Sequence, residues 1–260
     1  MKPLFLKLVP FIIIIGLFFG FYRKNKLVQS VQSVDSMEKS LYPSFAVLEL
    51  FTSEGCSSCP PADEILRGVA NQDNVFALSF HVTYWNKLGW KDAFSQKMFD
   101  ERQYTYGRLM QSNGVYTPQL VVNGSEEFVG SRKSQTEKSI EKALSQKAEA
   151  DIILNKKFEN NTLKIDYSLK GNFKNAVLNI ALVERNIETK VLRGENEGRT
   201  LKHDNVVREF QTIQTDAKGE GNILLNMPNN FKQKDCSVMA YLQNSETWKI
   251  IGAAKIAVIN

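Results

Sequence analysis

The stretch FTSEGCSSCP, residues 51–60, sets Cys56 and Cys59 with two residues between them. The thiolate is the form of cysteine that attacks disulfides and binds soft metals. At a helix N-terminus that form is stabilised by free backbone amides and the helix dipole. The run before the pair, FAVLELF from Phe45, is nearly all apolar and predicts a buried parallel strand. Pro60 and Pro61 suit the first turn of a helix, where no amide partner is lost. Cys56 therefore falls on the turn between strand and helix. Cys59, three residues on, shares its helical face and is close enough to close a disulfide. Three chemistries fit: exchange, with Cys56 attacking and Cys59 resolving; a static cross-link; and a Cu(I) site of two thiolates. A closed zinc site needs four ligands, of which the pair supplies two. Ser57 and Ser58 add no charge and Glu54 opposes ionisation, so a thiol pKa somewhat below the free value of ~8.5 is expected.

The elements that must hold this pair follow in the order β-α-β-α-β-β-α. After the first strand comes a helix through Ala70, then VFALSF at 75–80, a second apolar strand. The aromatic segment HVTYWNKLGWKDAF leads into a helix with Phe94, Met98, Arg102, Tyr106 and Met110 at helical spacing. Leu109 widens its apolar face and Asn113-Gly114 is its expected end. Gln119 to Val122 is a strand, Asn123-Gly124 a hairpin turn and Glu127 to Val129 the return strand. Ser134 to Glu137 reads as a capping box opening a last helix with Ile140, Ala143 and Leu144. These elements predict an α/β unit over residues 44–148. From 149 to 260 the pattern changes to short alternating strands, near 151–158, 163–169, 176–184, 205–212, 222–227, 236–242 and 248–258. With turn residues between them they predict a β-sandwich-like unit.

Other chemistry-bearing residues have two readings each. His81, ending the second strand, is a hydrogen-bonded strand-end histidine or a base or ligand beside the cysteines. His203 sits in the charged insert ETKVLRGENEGRTLKHDN and is expected to be exposed. The GENEGRT part of that insert is a solvated loop or docks against the first unit. Tyr84, Trp85, Trp90 and Phe94 line a substrate groove or cap a core. Cys236 alternates with Val238, Ala240 and Leu242 on one face and reads as a buried thiol outside the pair.

The 260 residues, 43% hydrophobic and 23% charged, are those of an ordinary globular chain. A formal charge of +5 without a basic stripe makes nucleic acid an unexpected partner. Three cysteines are too few for a disulfide scaffold. There is no GxGxxG after a strand and no phosphate-binding loop, so no cofactor is expected. Residues 1–26 join a basic start, an apolar run from Leu8 to Tyr22 and a basic end. They predict a signal peptide or signal anchor. No small residues close the run, and counted from Leu4 it nearly spans a bilayer. The expectation is a membrane anchor at residues 4–22, a linker at 27–43 and an extracytoplasmic remainder, periplasmic or secreted, where a disulfide persists.

Strand, CxxC at a helix start, strand, helix, then Thr117-Pro118 before a hairpin and a final helix resembles the thioredoxin fold. In that superfamily a cis-proline precedes the third core strand and faces the cysteines; Pro118 matches it by position, and Thr117 precedes it. LELFTSEGCSSCPPAD, FHVTYWNKLGWKD, VYTPQLVVNG and GENEGRT resemble, over about residues 45–258, the secreted thioredoxin-like domain-of-unknown-function family 1223. The resemblance implies an extracytoplasmic disulfide oxidoreductase acting on protein or small thiol and disulfide substrates. Cys56 and Cys59 would be catalytic; Thr117 and Pro118, with Trp85 of the aromatic segment, would bind substrate. Thioredoxins also carry a buried acid six residues before the first cysteine. Here that place is Leu50, and Glu49 should point to the other face of its strand. The tryptophan usual before the first cysteine is Gly55. The alternatives are a protein- or glycan-binding module with a structural disulfide, and a Cu(I)-handling protein.

Overall fold

The structure, a computed structural model, describes residues 42–159, 162–227 and 233–259. The expected signal or anchor segment and most of the linker lie outside the described residues. No helix of the described residues is long and apolar enough to cross a membrane.

The first half contains β1 (Ala46–Thr52), α1 (Pro60–Val69), β2 (Val75–His81), α2 (Lys97–Leu109), β3 (Gln119–Val122), β4 (Glu126–Val129) and α3 (Lys133–Leu144). β1 runs parallel to β2 and antiparallel to β3, and β3 pairs with β4 as a hairpin. Side chains alternate across a strand, so β1 feeds two cores. Leu48 and Leu50 pack with Ala62 and Leu66 of α1 and Ile140 of α3. Val47 and Phe51 pack on the other face with Phe99 and Tyr106 of α2.

The hairpin turn has the predicted chemistry, with Asn123 at φ 47° and Gly124 at φ 62°. The Asn123 carboxamide oxygen also accepts the Val47 N–H at 2.7 Å. A Cβ on Gly124 would stand 2.0 Å from the Trp248 carbonyl oxygen. Gly124→Ala therefore meets both a left-handed backbone and a backbone clash. It should cost about 1–3 kcal/mol, seen as a lower urea midpoint, whereas an unchanged midpoint would show that this turn is not held against Trp248.

Two helix readings need correction. α2 ends at Leu109, before Asn113-Gly114, and Met98 and Leu109 are 41% and 44% exposed. The buried face keeps the expected Arg102 and Tyr106 and adds Phe99, Asp100 and Gln103, because α2 covers polar partners as well as rings. Asp100 accepts the Thr83 N–H at 2.7 Å, and Gln103 donates to the Tyr116 carbonyl at 2.8 Å. α3 starts at Lys133 with Arg132 at its N-cap and no side-chain cap bond. Ser134 thus lies inside the first turn and the capping box does not form.

The second half contains β5 (Ala150–Glu159), β6 (Thr162–Gly171), β7 (Ala176–Glu184), β8 (Ile187–Lys190), β9 (Thr200–His203), β10 (Val206–Gln214), β11 (Glu220–Asn226), β12 (Cys236–Asn244) and β13 (Ile250–Ala257). A three-stranded sheet, β11-β6-β5, and the β7–β12 part of a larger sheet share a core that includes Leu163, Ile165, Leu178, Ile180, Val238 and Leu242. The larger sheet is continuous across the expected boundary near residue 148, in the order β13-β12-β7-β10-β2-β1-β3-β4. The join is a parallel pairing of β10 with β2 at Val206 and Ser79, and the Ser79 N–H donates to the Asn205 carbonyl at 2.9 Å. The described residues form one compact unit. The molecule is thus a mixed α/β unit with one large sheet and smaller β sheets. β8 and β9, a short hairpin inside the charged insert, were not expected as strands.

Candidate functional site

Cys56 and Cys59 are joined as a disulfide, with Cα atoms 5.5 Å apart. The turn that carries them is built from backbone bonds. The Cys56 N–H donates to the Ser53 carbonyl at 3.1 Å, the Cys59 N–H to the Cys56 carbonyl at 3.2 Å and the Asp63 N–H to the Cys59 carbonyl at 3.1 Å. Cys59 is the N-cap residue of α1, with Pro60 opening the helix as the sequence predicts. Neither cysteine has exposed area, while Ser57 and Ser58 between them are exposed.

The Thr117-Pro118 peptide bond is cis. The Ser58 hydroxyl reaches the Thr117 carbonyl at 3.4 Å, and the Trp85 indole N–H donates to the Thr117 hydroxyl at 2.8 Å. The structure thus brings Thr117 and Trp85 to the cysteine turn. Trp90 donates to the Glu54 carboxylate at 2.7 Å, so the aromatic segment wraps the same turn. Tyr84 instead donates to Gln103, at 3.2 Å.

The residues that sequence reasoning did not assign come from the insert. Asn196 is fully buried and its carboxamide N–H₂ donates to the carbonyls of Glu54 and Cys56, each at 2.9 Å. Its oxygen accepts from Arg199 at 2.8 Å. The Glu195 carboxylate accepts the Ser57 N–H at 3.1 Å and the Ser57 hydroxyl at 2.6 Å. These two bonds hold the Glu195 carboxyl below the usual carboxylate range. GENEGRT therefore docks on the cysteine turn. Its paired glycines, Gly194 and Gly198, at φ 81° and 77°, were the available signal of a tight corner.

Beneath the turn lies a buried ionisable group. The imidazole Nδ1 of His81 is hydrogen-bonded to Asp92 at 2.7 Å, and Asp92 also accepts the Glu54 N–H at 2.9 Å. His203 is buried, contrary to expectation, because alternate residues of β9 face inward. Its Nδ1 lies 3.5 Å from Asp63 and its Nε2 lies 3.8 Å from Glu54, and its ring meets that of His81 edge-on at 4.8 Å between centroids. Burial alone would lower the His81 pKa, but the charge and hydrogen bond of Asp92 outweigh it and hold His81 above its ordinary value. Asp92 is correspondingly lowered; burial would raise it, and His81 overcomes that. Among the described residues, Glu54 Oε1, His81 Nε2 and both nitrogens of His203 have no hydrogen-bond partner. No group of three or more side chains among them could hold a metal ion.

Glu49 does lie on the other face of β1, as its alternation predicts. It accepts from Arg102 at 2.8 and 3.1 Å and from the hydroxyls of Tyr106 and Tyr241. Cys236 is buried on β12 and stands outside the disulfide. Its thiol is pushed up to about 12, first by burial and then by Glu184 and Asp235, so it is no nucleophile near neutral pH.

What the site assembles, then, is four separate stretches, residues 53–63, 81–92, 117–118 and 195–203, around one disulfide. A crystal structure of a protein from Agrobacterium tumefaciens is similar at 30% identity and a TM-score of 0.65, covering 83% of this chain and 95% of that one. HBP35 of Porphyromonas gingivalis shares the fold, with a TM-score of 0.57 and 19% identity, over 84% of this chain and 76% of that one. A comparison with curated proteins yields no match. The family model described as "Protein of unknown function (DUF1223)" matches residues 47–243, and the chain belongs to that family.

Proposed function

We propose that this protein is an extracytoplasmic thiol–disulfide oxidoreductase built on a thioredoxin-like half, residues 44–148, with Cys56 as attacking and Cys59 as resolving sulfur. The observation that carries the reading is the Cys56–Cys59 disulfide closed on the turn that leads into α1, with the Ser58 hydroxyl between them set against the Thr117 carbonyl. An extended substrate strand would pair with the Thr117 backbone next to Pro118 and Trp85. Its partners would be proteins or small molecules carrying thiols or disulfides. Residues 4–22 would hold it to the membrane, with the folded unit in an oxidising compartment. Exchange proceeds by thiolate attack through a mixed disulfide, which the second cysteine resolves.

A second reading, a structural staple in a binding module, is favoured by one observation: neither cysteine has exposed area. A redox titration against glutathione separates the two. An exchanger should have a potential within the range of thiol–disulfide exchangers, roughly −120 to −270 mV, whereas a couple below about −300 mV is a staple.

A further inference from the structure

The sulfurs are tied to a part of the chain far from them in sequence. Asn196 is 140 residues from Cys56, yet one buried N–H₂ group binds the carbonyls on both sides of the Gly55 peptide, those of Glu54 and Cys56. The Cys56 carbonyl also accepts the Cys59 N–H, so the same oxygen anchors the corner and closes the cysteine turn. Arg199 fixes the carboxamide from behind. One residue away, Glu195 occupies the Ser57 N–H, an amide next to Cys56 that would otherwise favour a thiolate there. The corner itself is locked by its own backbone: Val191 and Arg199 pair at 2.9 Å, as do Gly198 and Val191.

We propose that Asn196 and Glu195 are positioning residues that set the thiol–disulfide equilibrium of Cys56 and Cys59. This rests on the exchange reading above. The reaction concerned is Cys56–S–S–Cys59 plus two glutathione thiols giving two protein thiols plus glutathione disulfide. One S–S bond breaks and one forms, and two electrons pass from glutathione to the protein. Opening the disulfide frees the turn only as far as its remaining restraints allow. With Asn196 in place, the two thiols stay juxtaposed and their effective concentration toward each other stays high, which favours the disulfide. Glu195 acts in the same direction, because its charge and its hold on the Ser57 amide disfavour the Cys56 thiolate and hence the dithiol. Glu195 is solvent-exposed, so its share should shrink with added salt.

The test uses the full chain and glutathione. Asn196→Ala and Asn196→Asp should each shift the equilibrium about tenfold toward the dithiol. The aspartate keeps the shape but sets oxygen against two carbonyls, and should shift it at least as far. Glu195→Gln should shift it about threefold at low salt and less in 1 M salt. Asn179→Ala removes another buried carboxamide, one bonded to Gln243 and Thr212 away from the cysteines, and should lower stability without moving the equilibrium. Asn196 variants within twofold of the parent, or an equal shift in Asn179→Ala, would overturn the proposal. Should the parent disulfide resist glutathione altogether, the exchange reading fails separately. The rate of reduction by a water-soluble phosphine then decides about the corner: at least tenfold faster in Asn196→Asp supports it, and an unchanged rate rejects it.

Discussion

Cys56→Ser is expected to lower disulfide exchange roughly 10³-fold or more, because a hydroxyl neither ionises near neutral pH nor forms the mixed disulfide. Cys59→Ser should instead stop the reaction halfway and accumulate substrate joined to Cys56, visible as a reducible adduct on a non-reducing gel. The stability of both variants supplies the contrast with a staple. The cysteines are three residues apart, so the loop they close is short. Chain-entropy loss for such a loop is worth only about 2 kcal/mol. A staple would show that loss and no exchange in the parent. An exchanger shows the activity difference on top of it. Full exchange activity in Cys56→Ser would remove Cys56 from the mechanism.

The second large effect is on stability. Arg102 on α2 is buried and surrounded by the rings of Phe80, Tyr106, Phe210, Tyr241 and Trp248, with its charge centre 5.1 to 5.9 Å from their centroids. Its one ionic partner among the described residues is Glu49, which is itself fully buried. Glu49→Gln leaves a buried guanidinium, still hydrogen-bonded to the Tyr106 hydroxyl and the Gln243 carboxamide oxygen, without its counter-charge, and breaking such a pair costs about 3–5 kcal/mol. Arg102→Lys should be costly too, since an ammonium reproduces neither the bidentate contact nor the stacking. The double variant Glu49→Leu with Arg102→Met removes both charges together and should recover much of the loss. Urea midpoints for Glu49→Leu, Arg102→Met and this double form the cycle. Simple additivity would mean that the pair is not coupled in the way its geometry implies.

Much of this was legible in the sequence, for stated reasons. β1 could be read because it is apolar on both faces, and the hairpin because Asn123-Gly124 has few other uses. The position of Glu49 followed from alternation alone. The site was half legible. Local chemistry marked Cys56 and Cys59, and the resemblance marked Thr117 and Pro118. His203 was hidden because a four-residue strand with Lys202 beside it looks solvated while its alternate residues are buried, and Asn196 because it sits in the charged corner between β8 and β9, whose contact with the cysteine turn is non-local. α2 misled for the opposite reason: its buried face carries Asp100 and Gln103, which an apolar count assigns to solvent. Strand order is a non-local property, so nothing in the sequence of β10 announced its place beside β2.

That place has a consequence for how the chain is made. A ribosome delivers residues 44–148 well before residue 206. Until β10 arrives, β2 is an open edge whose Ser79 amide has no Asn205 carbonyl to meet. The cysteine turn likewise waits for Asn196, and Glu49 for the Tyr241 hydroxyl 192 residues later. Pairings this remote are slow to form, because a long loop must close before any contact repays it. The growing polypeptide thus carries Cys56 and Cys59 in an incomplete sheet for most of its synthesis. An edge in that condition is a template for association with other chains. A chain cut at residue 148 should therefore yield aggregate, and a soluble, folded product would show that β2 does not need β10.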